Sequence, residues 1–413
     1  MPLLAHVPQG IQLTGLRNIS PIRGRKQVDV EVVECGNFSS LETTPQYGAE
    51  INKERPPKSV YCLNLGGVIL KAFLKRGDGM STVYLINDSG KCGYQHGRLI
   101  VDIPERKTEI PFEKVSGILI IGNIQLSTQL IKACLKKGVV VTFLSKYGEF
   151  YGKLHSTKHQ HIERQRKQFV LSEEEDFSLA LSKRFVKGKL RNQQVLLRRL
   201  FREAECQTDV NSTIMCNMDI YEHKIDEAST KDELRGYEGI AARTYFNGLS
   251  NAVSEEFHFH SRNRMPPKDP VNSLLSFGYT ILMYEIYAAI EQNGLHPYCG
   301  FYHSDALHHP TLASDLMEEW RPVIVDSLVT SLLHTKKLTM DHFYAVADKD
   351  GVYITDEGIK TFVQGFENKM TTTTVYQEKI GITYREALEK QAGNLWQAMR
   401  ESLPDTYMPF LLR

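Results

Sequence analysis

The chain changes near residue 160 from short segments that favour β-strands to longer segments that favour helices. Before that point, the runs that are rich in β-branched residues and bounded by Gly, Asn or Asp are 59–65, 81–86, 97–101 and 117–121. A helix is predicted over residues 127–137, ended by Gly138, and a buried strand follows over 139–144. Because strands and helices are segregated along the chain, the pattern predicts an α+β fold.

The length of the chain favours two domains, because 413 residues are many for one hydrophobic core. We predict a small β-rich N-terminal domain over residues 59–160 and a helical domain over residues 161–413. Residues 1–58 alternate short β-like pieces with Gly, Pro and polar breaks. They form an extension of unknown role, either a small accessory unit or a poorly packed segment. The β-rich domain has no paired carboxylates, which favours a structural role such as dimerisation.

Cysteine usage and hydropathy indicate the compartment. The seven cysteines are scattered and form no C-x-x-C pair, which favours free thiols over a disulfide framework or a zinc ribbon. The sequence has no 18-residue apolar run and no basic-then-apolar N-terminus, so it predicts neither a membrane span nor a signal peptide. We therefore expect a cytoplasmic protein that does not engage a membrane.

Basic residues are concentrated in two segments, although the net charge of the whole chain is only +1. Residues 181–202 contain eight cations and no acid: Lys183, Arg184, Lys187, Lys189, Arg191, Arg198, Arg199 and Arg202. The second segment, 258–270, is stiffened by proline and carries Arg262, Arg264 and Lys268. These side chains are candidates for binding the phosphate backbone of DNA. The alternative is a solvated helix face whose acidic partners lie elsewhere in the fold.

A helix predicted over residues 314–326, with Ser314 as its N-cap, collects carboxylates on one side. At about 100° per residue, the acidic side chains that share roughly one third of its circumference are Asp315, Glu318, Glu319 and Asp326. Like charges in one stripe repel each other unless water or a cation compensates them. The stripe is therefore either a solvated face or a cation site, and His303 supplies a nitrogen ligand nearby in sequence.

Glu238 is another carboxylate in an unusual setting. If residues 236–246 are helical, Glu238 shares its face with Ala241, Ala242 and Tyr245, which are uncharged. A carboxylate buried on such a face is costly unless it is paired or bound to a metal, whereas a surface Glu beside a turn needs no partner. Residues 271–290 are predicted to form the buried central helix of the second domain, and residues 206–234 a looser loop.

Four motifs follow one another in the second half of the chain: Tyr237-Glu238-Gly239 with Ala241-Ala242; Arg262-x-Arg264-x-Pro266-Pro267-x-Asp269-Pro270-x-Asn272; Gly294-Leu295-x-Pro297-x-x-Gly300-Phe301-x-His303; and Asp315-Leu316-Met317-Glu318-x-x-Arg321-Pro322. Together they resemble the CRISPR-associated adaptation integrase, the Cas-one family. The stretch from Ile110 to Gly148 and the tail from Gly351 to Phe410 are also similar to that family. The resemblance covers roughly residues 60–413, and the ordered set is more specific than any single motif.

The resemblance implies a β-rich N-terminal domain followed by an all-α catalytic domain, working as a homodimer that joins a Cas-two protein dimer. It places the family's metal ligands on Glu238, His303 and Glu318, which would hold Mg²⁺ or Mn²⁺. Asp315 matches the acidic position one helical turn before the last ligand, and it would share the ion or orient a ligand. Many relatives have Asp where this chain has Glu318, so the longer side chain keeps the charge and changes the geometry.

The implied function is a metal-dependent DNA endonuclease and integrase that inserts short foreign DNA fragments, or spacers, into a CRISPR array. The 3′-hydroxyl of a double-stranded protospacer would attack a phosphodiester at the CRISPR repeat. A hard cation held by carboxylates and an imidazole stabilises the charge that develops on the phosphate. Two alternatives are a metal-dependent branched-DNA nuclease without integration, which would use the same residues, and a catalytically idle scaffold that clamps DNA.

Overall fold

The computed structural model describes residues 62–65, 68–71, 81–104, 106–145, 149–154, 156, 161–203, 208–264, 266–346 and 349–412. The predicted extension over residues 1–58 lies outside these residues. The N-terminal part of the described chain holds most of its strands. They are β1 (Cys62–Leu65), β2 (Val68–Lys71), β3 (Ser81–Asn87), β4 (Lys91–Gln95), β5 (Arg98–Ile103), β6 (Arg106–Pro111), β7 (Val115–Gly122), β8 (Gln125–Leu126), β9 (Val140–Leu144) and β10 (Phe150–Leu154).

These strands form two sheets, and the predicted strand segments all contain observed strands. The larger sheet has the order β1-β2-β3-β7-β9-β10, with β3, β7 and β9 parallel to one another and the outer pairs antiparallel. The smaller sheet has the order β6-β5-β4-β8. The predicted helix is α1 (Thr128–Lys137), capped by Ser127 and ended by Gly138 at φ 76°, a backbone conformation that glycine adopts without strain.

The remaining described chain is mostly helical. Its helices are α2 (Ile162–Glu173), α3 (Glu175–Glu203), α4 (Asp209–Glu227), α5 (Lys231–Asn251), α6 (Pro270–Gln292), α7 (Thr311–Trp320), α8 (Ser327–His334), α9 (Asp356–Thr371) and α10 (Tyr384–Glu401). A π-helical turn over Arg321–Asp326 joins α7 to α8. The prediction of an all-α second part is wrong in detail, because two antiparallel hairpins occur there, β11 (Phe343–Val346) with β12 (Lys349–Ile354) and β13 (Thr373–Tyr376) with β14 (Lys379–Thr383).

The prediction of a loose loop over residues 206–234 is also wrong, because α4 occupies most of it. Ile214, Met218 and Ile225 are buried, and their spacing places them along one side of α4. Many polar and acidic residues on the other sides of α4 concealed this apolar stripe. The helix packs against α3 and α5, and it brings acidic side chains next to the basic residues of α3.

Both faces of the larger sheet are buried. Alternate residues of its strands point to opposite sides, and each side packs into an apolar cluster. Tyr84, Ile86 and Leu119 belong to the apolar cluster that the helices also form, while Val83, Leu85 and Ile118 belong to a separate cluster that includes α1. The Tyr84 hydroxyl donates a hydrogen bond to Glu367 Oε2 at 3.0 Å. Strands and helices therefore share one core across residue 160, and the proposed domain boundary there stays a prediction.

Helix α6 is the central helix that the sequence predicts. Within the described residues it is long and apolar enough to cross a membrane by length and composition, and 61% of its apolar window is buried inside the protein. It packs against α7 and α10, and its N-cap Asp269 accepts a hydrogen bond from the Asn272 amide at 2.8 Å. Burial against other helices is what a core helix requires.

The C-terminal tail is attached to α7 through Glu319, whose carboxylate is fully buried. Tyr407 Oη donates to Glu319 Oε1 at 2.6 Å, and the Phe410 amide donates to Oε2 at 2.8 Å. The Phe410 ring stacks on Trp320 at a centroid distance of 4.4 Å. Burial, only partly offset by these hydrogen bonds, raises the pKa of Glu319 to about 8.

The raised pKa predicts a stability loss in alkaline solution. The folded protein binds the Glu319 proton more tightly than the unfolded chain does. Protonation of Glu319 therefore stabilises the fold fully below the unfolded pKa, and this stabilisation is lost as pH rises through about 8. Between pH 6 and 9, the wild-type free energy of unfolding should fall, by at most about 1.4 kcal/mol per pH unit. Denaturant titration of Glu319→Gln should give a smaller fall, whereas the exposed control Glu401→Gln should behave as wild type. Equal slopes in all three proteins would contradict the expectation.

Candidate functional site

The acidic stripe is not a solvated face: all ten residues of α7 are buried, Ser314 included, and so is Asp326 in the following turn. The helix begins three residues earlier than predicted, at Thr311, so Ser314 lies inside it rather than at its N-cap. The four carboxylates have different partners. Glu319 holds the C-terminal tail, and Asp326 accepts hydrogen bonds from the hydroxyls of Tyr245 and Tyr279. Asp315 and Glu318 face the segment that contains His303.

Asp315 holds His303 in place. Its carboxylate is fully buried and accepts hydrogen bonds from three consecutive backbone amides, Phe301 at 2.6 Å, Tyr302 at 3.0 Å and His303 at 2.9 Å. Asp315 Oδ1 also lies 2.7 Å from His303 Nδ1. A carboxylate in this position favours the tautomer with the proton on Nδ1, which leaves Nε2 with a lone pair for a ligand. Asp315 is therefore a positioning residue for His303 in this arrangement.

Glu318 lies one helical turn further along α7, at the centre of the site. Its Oε1 is 3.8 Å from His303 Nε2 and 3.0 Å from Arg321 Nη1, and its Oε2 is 2.5 Å from Lys189 Nζ. Burial would raise the pKa of Glu318, but the neighbouring cations Arg321 and Lys189 outweigh it and lower the pKa to about 2. The carboxylate is therefore charged at neutral pH. Oε2 itself is buried.

Glu238 reaches the same place from α5, as the sequence predicts, on a face that includes the buried Ala241 and Tyr245. One of its oxygens forms a very short ion pair with Lys189, which comes from α3. The Glu238 side chain is 20% exposed and the His303 side chain 32% exposed, whereas Glu318 is almost completely enclosed. The site is therefore accessible to solvent from the side of Glu238 and His303.

The donor set suits a divalent cation in chemistry and charge. Glu238 and Glu318 supply hard carboxylate oxygens and His303 supplies a borderline nitrogen, a combination that Mg²⁺ and Mn²⁺ accept. In the described chain, however, no three His, Cys, Asp or Glu side chains are gathered closely enough to hold an ion. The Lys189 ammonium lies between the two glutamates and forms an ion pair with each of them. The ammonium shows that this space stabilises positive charge.

Arg321 closes the site on the side of the π-helical turn. Its guanidinium contacts Glu318 and stacks on the Tyr279 ring at 5.1 Å from the centroid. Tyr279 in turn donates to Asp326 Oδ1 at 2.6 Å. Burial raises the pKa of Asp326 to about 6, although the hydrogen bonds from Tyr245 and Tyr279 oppose this shift. Arg321 is the first residue of the π-helical turn, and such turns are frequent at functional sites.

Most of the predicted DNA-binding cations on α3 have partners within the fold. These are Lys183 with the Asp226 carbonyl, Arg184 with Asp405, Lys187 with Asp226 and Arg191 with Glu222. These pairs match the alternative interpretation, in which the basic helix face has acidic partners elsewhere in the fold. Helix α4 provides most of these partners. Such pairs are partly exposed and weak, so a DNA phosphate can replace them. DNA contact by these residues stays a prediction.

Lys189 and Arg262 do not fit the predicted role of surface phosphate contacts. Lys189 is 5% exposed and is engaged by the two glutamates. Arg262 donates to Asn272 Oδ1 at 2.9 Å and to Ser276 Oγ at 3.0 Å, and so ties its loop to α6. Their charge is used inside the fold because a partly buried cation requires a nearby acceptor. Arg264 and Lys268 are exposed and remain candidates.

Two residues of this cluster, Lys189 and Arg321, are not predicted as members of the site from the sequence. Arg321 lies three residues after Glu318, which is the spacing at which helical side chains meet, so this signal was available in the sequence. Lys189 gave no comparable signal. It is one cation among eight in its segment, and its partners are 49 and 129 residues away along the chain.

Comparison with known proteins gives consistent matches. The profile of a family described as CRISPR associated protein Cas1 matches residues 83–368. A Thermus thermophilus protein named CRISPR-associated endonuclease Cas1 3 is 34% identical over 343 residues, covering 82% of this chain and 99% of the relative. A Mycobacterium tuberculosis protein named CRISPR-associated endonuclease Cas1 is 31% identical over 331 residues, covering 79% of this chain and 96% of the relative.

Among solved structures, a chain of a Cas6-RT-Cas1–Cas2 complex is similar, with 26% identity and a TM-score of 0.69. The match covers 81% of this chain and 36% of that chain, so the present chain spans about a third of the length of that protein. The matched 81% of the chain is longer than either the strand-rich part or the helical part, so the structural match includes residues of both parts.

Proposed function

This chain belongs to the CRISPR-associated protein Cas1 family, and we propose that it is a metal-dependent DNA endonuclease and integrase that inserts short DNA fragments into a CRISPR array. Its relatives are named endonucleases, which supports a nuclease as the general activity. Integration is the more specific proposal. It requires that a DNA 3′-hydroxyl, rather than water, attack the phosphodiester.

The observation that carries the proposal is the convergence of Glu238, His303 and Glu318 from three separate parts of the chain at one partly open position. Glu319 accepts the Phe410 backbone amide of the tail, whereas Glu238 and Glu318 contact charged side chains at this position. Two carboxylates and an imidazole therefore converge on one position that already holds an ammonium group and is open to solvent on one side. Such a cluster, in which the pKa of Glu318 is lowered to about 2, is typical of a functional site, and a site that binds a cation and a DNA phosphate accounts for it.

In the proposed mechanism, Glu238, His303 and Glu318 would hold Mg²⁺ or Mn²⁺. The bound cation would supply Lewis-acid stabilisation of the charge that develops on the reacting phosphate. Asp315 keeps His303 Nδ1 protonated and directs Nε2 into the site. Arg321 holds Glu318 Oε1 and fixes the direction of that carboxylate. The exposed edge formed by Glu238 and His303 faces solvent, from which a DNA strand would approach.

For partners, we propose double-stranded DNA, both protospacer and CRISPR repeat, a second copy of this chain and a Cas2 dimer. The similar solved structure is a complex that contains Cas1 and Cas2, which supports the Cas2 partner. The exposed Arg264 and Lys268 are the strongest remaining candidates for phosphate contacts, because they follow Arg262 in the loop that leads into α6. We place the protein in the cytoplasm, where these partners occur.

A strand-transfer assay separates integration from the two alternatives. A short duplex is incubated with a plasmid that carries a CRISPR repeat, in Mn²⁺ or Mg²⁺, with and without a Cas2 partner. We expect fragment and plasmid to become covalently joined, and we expect a fragment with 3′-dideoxy ends to give no joined product. Nicking that is the same with both fragments, and no joining, would favour a nuclease without integration. DNA binding without any cleavage or joining would favour an idle scaffold.

A further inference from the structure

Lys189 occupies an unusual position for a lysine. It projects from the long helix α3 into the site, where its ammonium contacts Glu238 of α5 and Glu318 of α7 at once. Its side chain is only 6% exposed. The preceding residue is Gly188, where an added Cβ would lie 2.5 Å from the Pro409 side chain and 3.3 Å from Glu319 Oε2. The absence of a side chain at Gly188 therefore allows α3 to pack closely against the C-terminal tail and α7 beside Lys189.

We propose that Lys189 is an internal counter-ion that takes the cation position of the metal-free site and is displaced when a divalent metal binds. This inference rests on the proposed function, because it assumes that Glu238 and Glu318 are metal ligands. It goes further by assigning a role to a residue that is neither a ligand nor a surface DNA contact. Lys189 would hold the two glutamates together without a metal and would set how tightly the metal binds.

Displacement follows from the space available. A divalent cation lies about 2.0 to 2.3 Å from its carboxylate oxygens. The Lys189 ammonium already lies 2.5 Å from Glu318 Oε2 and in close contact with Glu238 Oε1. A metal bound to both oxygens would therefore fall almost on the ammonium. Two cations at that separation repel strongly in a poorly solvated site, so only one of them can be present.

Of the two buried cations, Lys189 is the one that can leave. Its ammonium is a compact charge on a flexible stem of four carbons, which can swing away without movement of α3. Arg321 binds the other oxygen of Glu318, Oε1, and stacks on the Tyr279 ring. It therefore stays in place and does not compete for the same oxygen. Glu318 thus has one permanent cationic partner, Arg321, and one exchangeable partner, Lys189.

Mn²⁺ affinity, measured by isothermal titration calorimetry and by electron paramagnetic resonance on the full chain, tests the proposal. In Lys189→Met, a side chain of similar length without charge removes the competitor, and we expect Mn²⁺ to bind at least about tenfold more tightly than in wild type. The matched control is Lys187→Met, on the same helix, whose partner is the more exposed Asp226. That variant should retain wild-type Mn²⁺ affinity. Unchanged or weaker Mn²⁺ binding in Lys189→Met would overturn the proposal.

Thermal stability gives a second readout that does not involve DNA. In EDTA, Lys189→Met leaves the enclosed Glu318 and the partly exposed Glu238 without their shared cation, and we expect its melting temperature to fall below that of wild type. Mn²⁺ should then raise the melting temperature more in this variant than in wild type, because the ion replaces the missing charge. An equal Mn²⁺-induced shift in the two proteins would contradict the role of counter-ion.

A charge-retaining variant protects the test against misfolding of Lys189→Met. In Lys189→Arg, the guanidinium can bind both carboxylates as a fork and is harder to displace, so Mn²⁺ should bind more weakly than in wild type. Equal or tighter binding would overturn the proposal independently.

Glu238→Gln separates this outcome from failure of the proposed function. If Mn²⁺ does not bind to wild type, or binds equally well to Glu238→Gln, the proposed metal site is wrong. If Glu238→Gln weakens Mn²⁺ binding but both Lys189 variants bind Mn²⁺ as wild type does, only the counter-ion role of Lys189 is wrong.

Discussion

Replacement of Glu238 by Gln, or of His303 by Ala, is expected to reduce metal-dependent strand transfer and DNA cleavage by at least about 100-fold. The physical reason is the loss of one donor from a set of three. Glu238→Gln keeps the shape of the side chain but removes the charge that attracts a divalent cation. His303→Ala removes the nitrogen that Asp315 directs into the site. The measurement is the initial rate of joined product in the strand-transfer assay, with saturating Mn²⁺.

The interpretation requires that the variants still fold and bind DNA. Both side chains are partly exposed, so the variants should remain folded and leave DNA affinity nearly intact. A moderate fall in melting temperature is expected for Glu238→Gln, because the buried Lys189 loses one of its two charged partners. The matched control is Glu227→Gln, an exposed glutamate paired with Lys224 on α4, outside the cluster. It should retain wild-type rates. Full activity of either Glu238→Gln or His303→Ala would refute the assignment of the metal ligands.

Asp315→Asn is expected to have the second largest effect, on activity and on stability together. The Asp315 carboxylate accepts three backbone hydrogen bonds and faces His303 Nδ1 with the same oxygen that serves the His303 amide. An asparagine presents an NH₂ group to at least one of these donors. We expect the free energy of unfolding to fall by about 1 to 3 kcal/mol, because a buried amide loses its acceptor.

The same change should weaken metal binding and activity by about 10- to 100-fold, because His303 loses the group that fixes its tautomer and ring orientation. Nitrogen-15 chemical shifts of the His303 ring report the tautomer directly, and a purely structural role of Asp315 would leave them unchanged in the folded variant. The control is Asp305→Asn, an exposed aspartate of the same loop. Wild-type tautomer and Mn²⁺ affinity in Asp315→Asn would contradict the positioning role.

The contrast between Asp315 and Glu319 shows why neighbouring acids on one helix differ in function. Both are fully buried and both accept backbone hydrogen bonds. Asp315 uses its hydrogen bonds to place a histidine that reaches the open side of the site. Glu319 uses its own to attach the tail, and its pKa of about 8 reflects burial without any facing cation. Helical periodicity places the two on one stripe, but it does not specify what packs against each position.

The sequence by itself determined the change from strands to helices near residue 160, the central helix α6, the candidate ligands and the family. These follow from local periodicity and from motifs whose residues are close in sequence, such as Asp315 and Glu318 one helical turn apart. Wrong or incomplete predictions arose where polar residues concealed an apolar stripe, as in α4, or where burial depended on distant elements, as on α7.

Only the tertiary structure decided the role of each charged residue. Lys189, Glu238 and Glu318 lie on three helices that are far apart along the chain, and their contact depends on how α3, α5 and α7 pack. Local sequence criteria predict that a cation in a basic segment lies on the surface, and only the packing of distant elements shows that it is buried. The electrostatic environment of a side chain is a property of everything that surrounds it in space, and a linear pattern specifies only its neighbours on the same element.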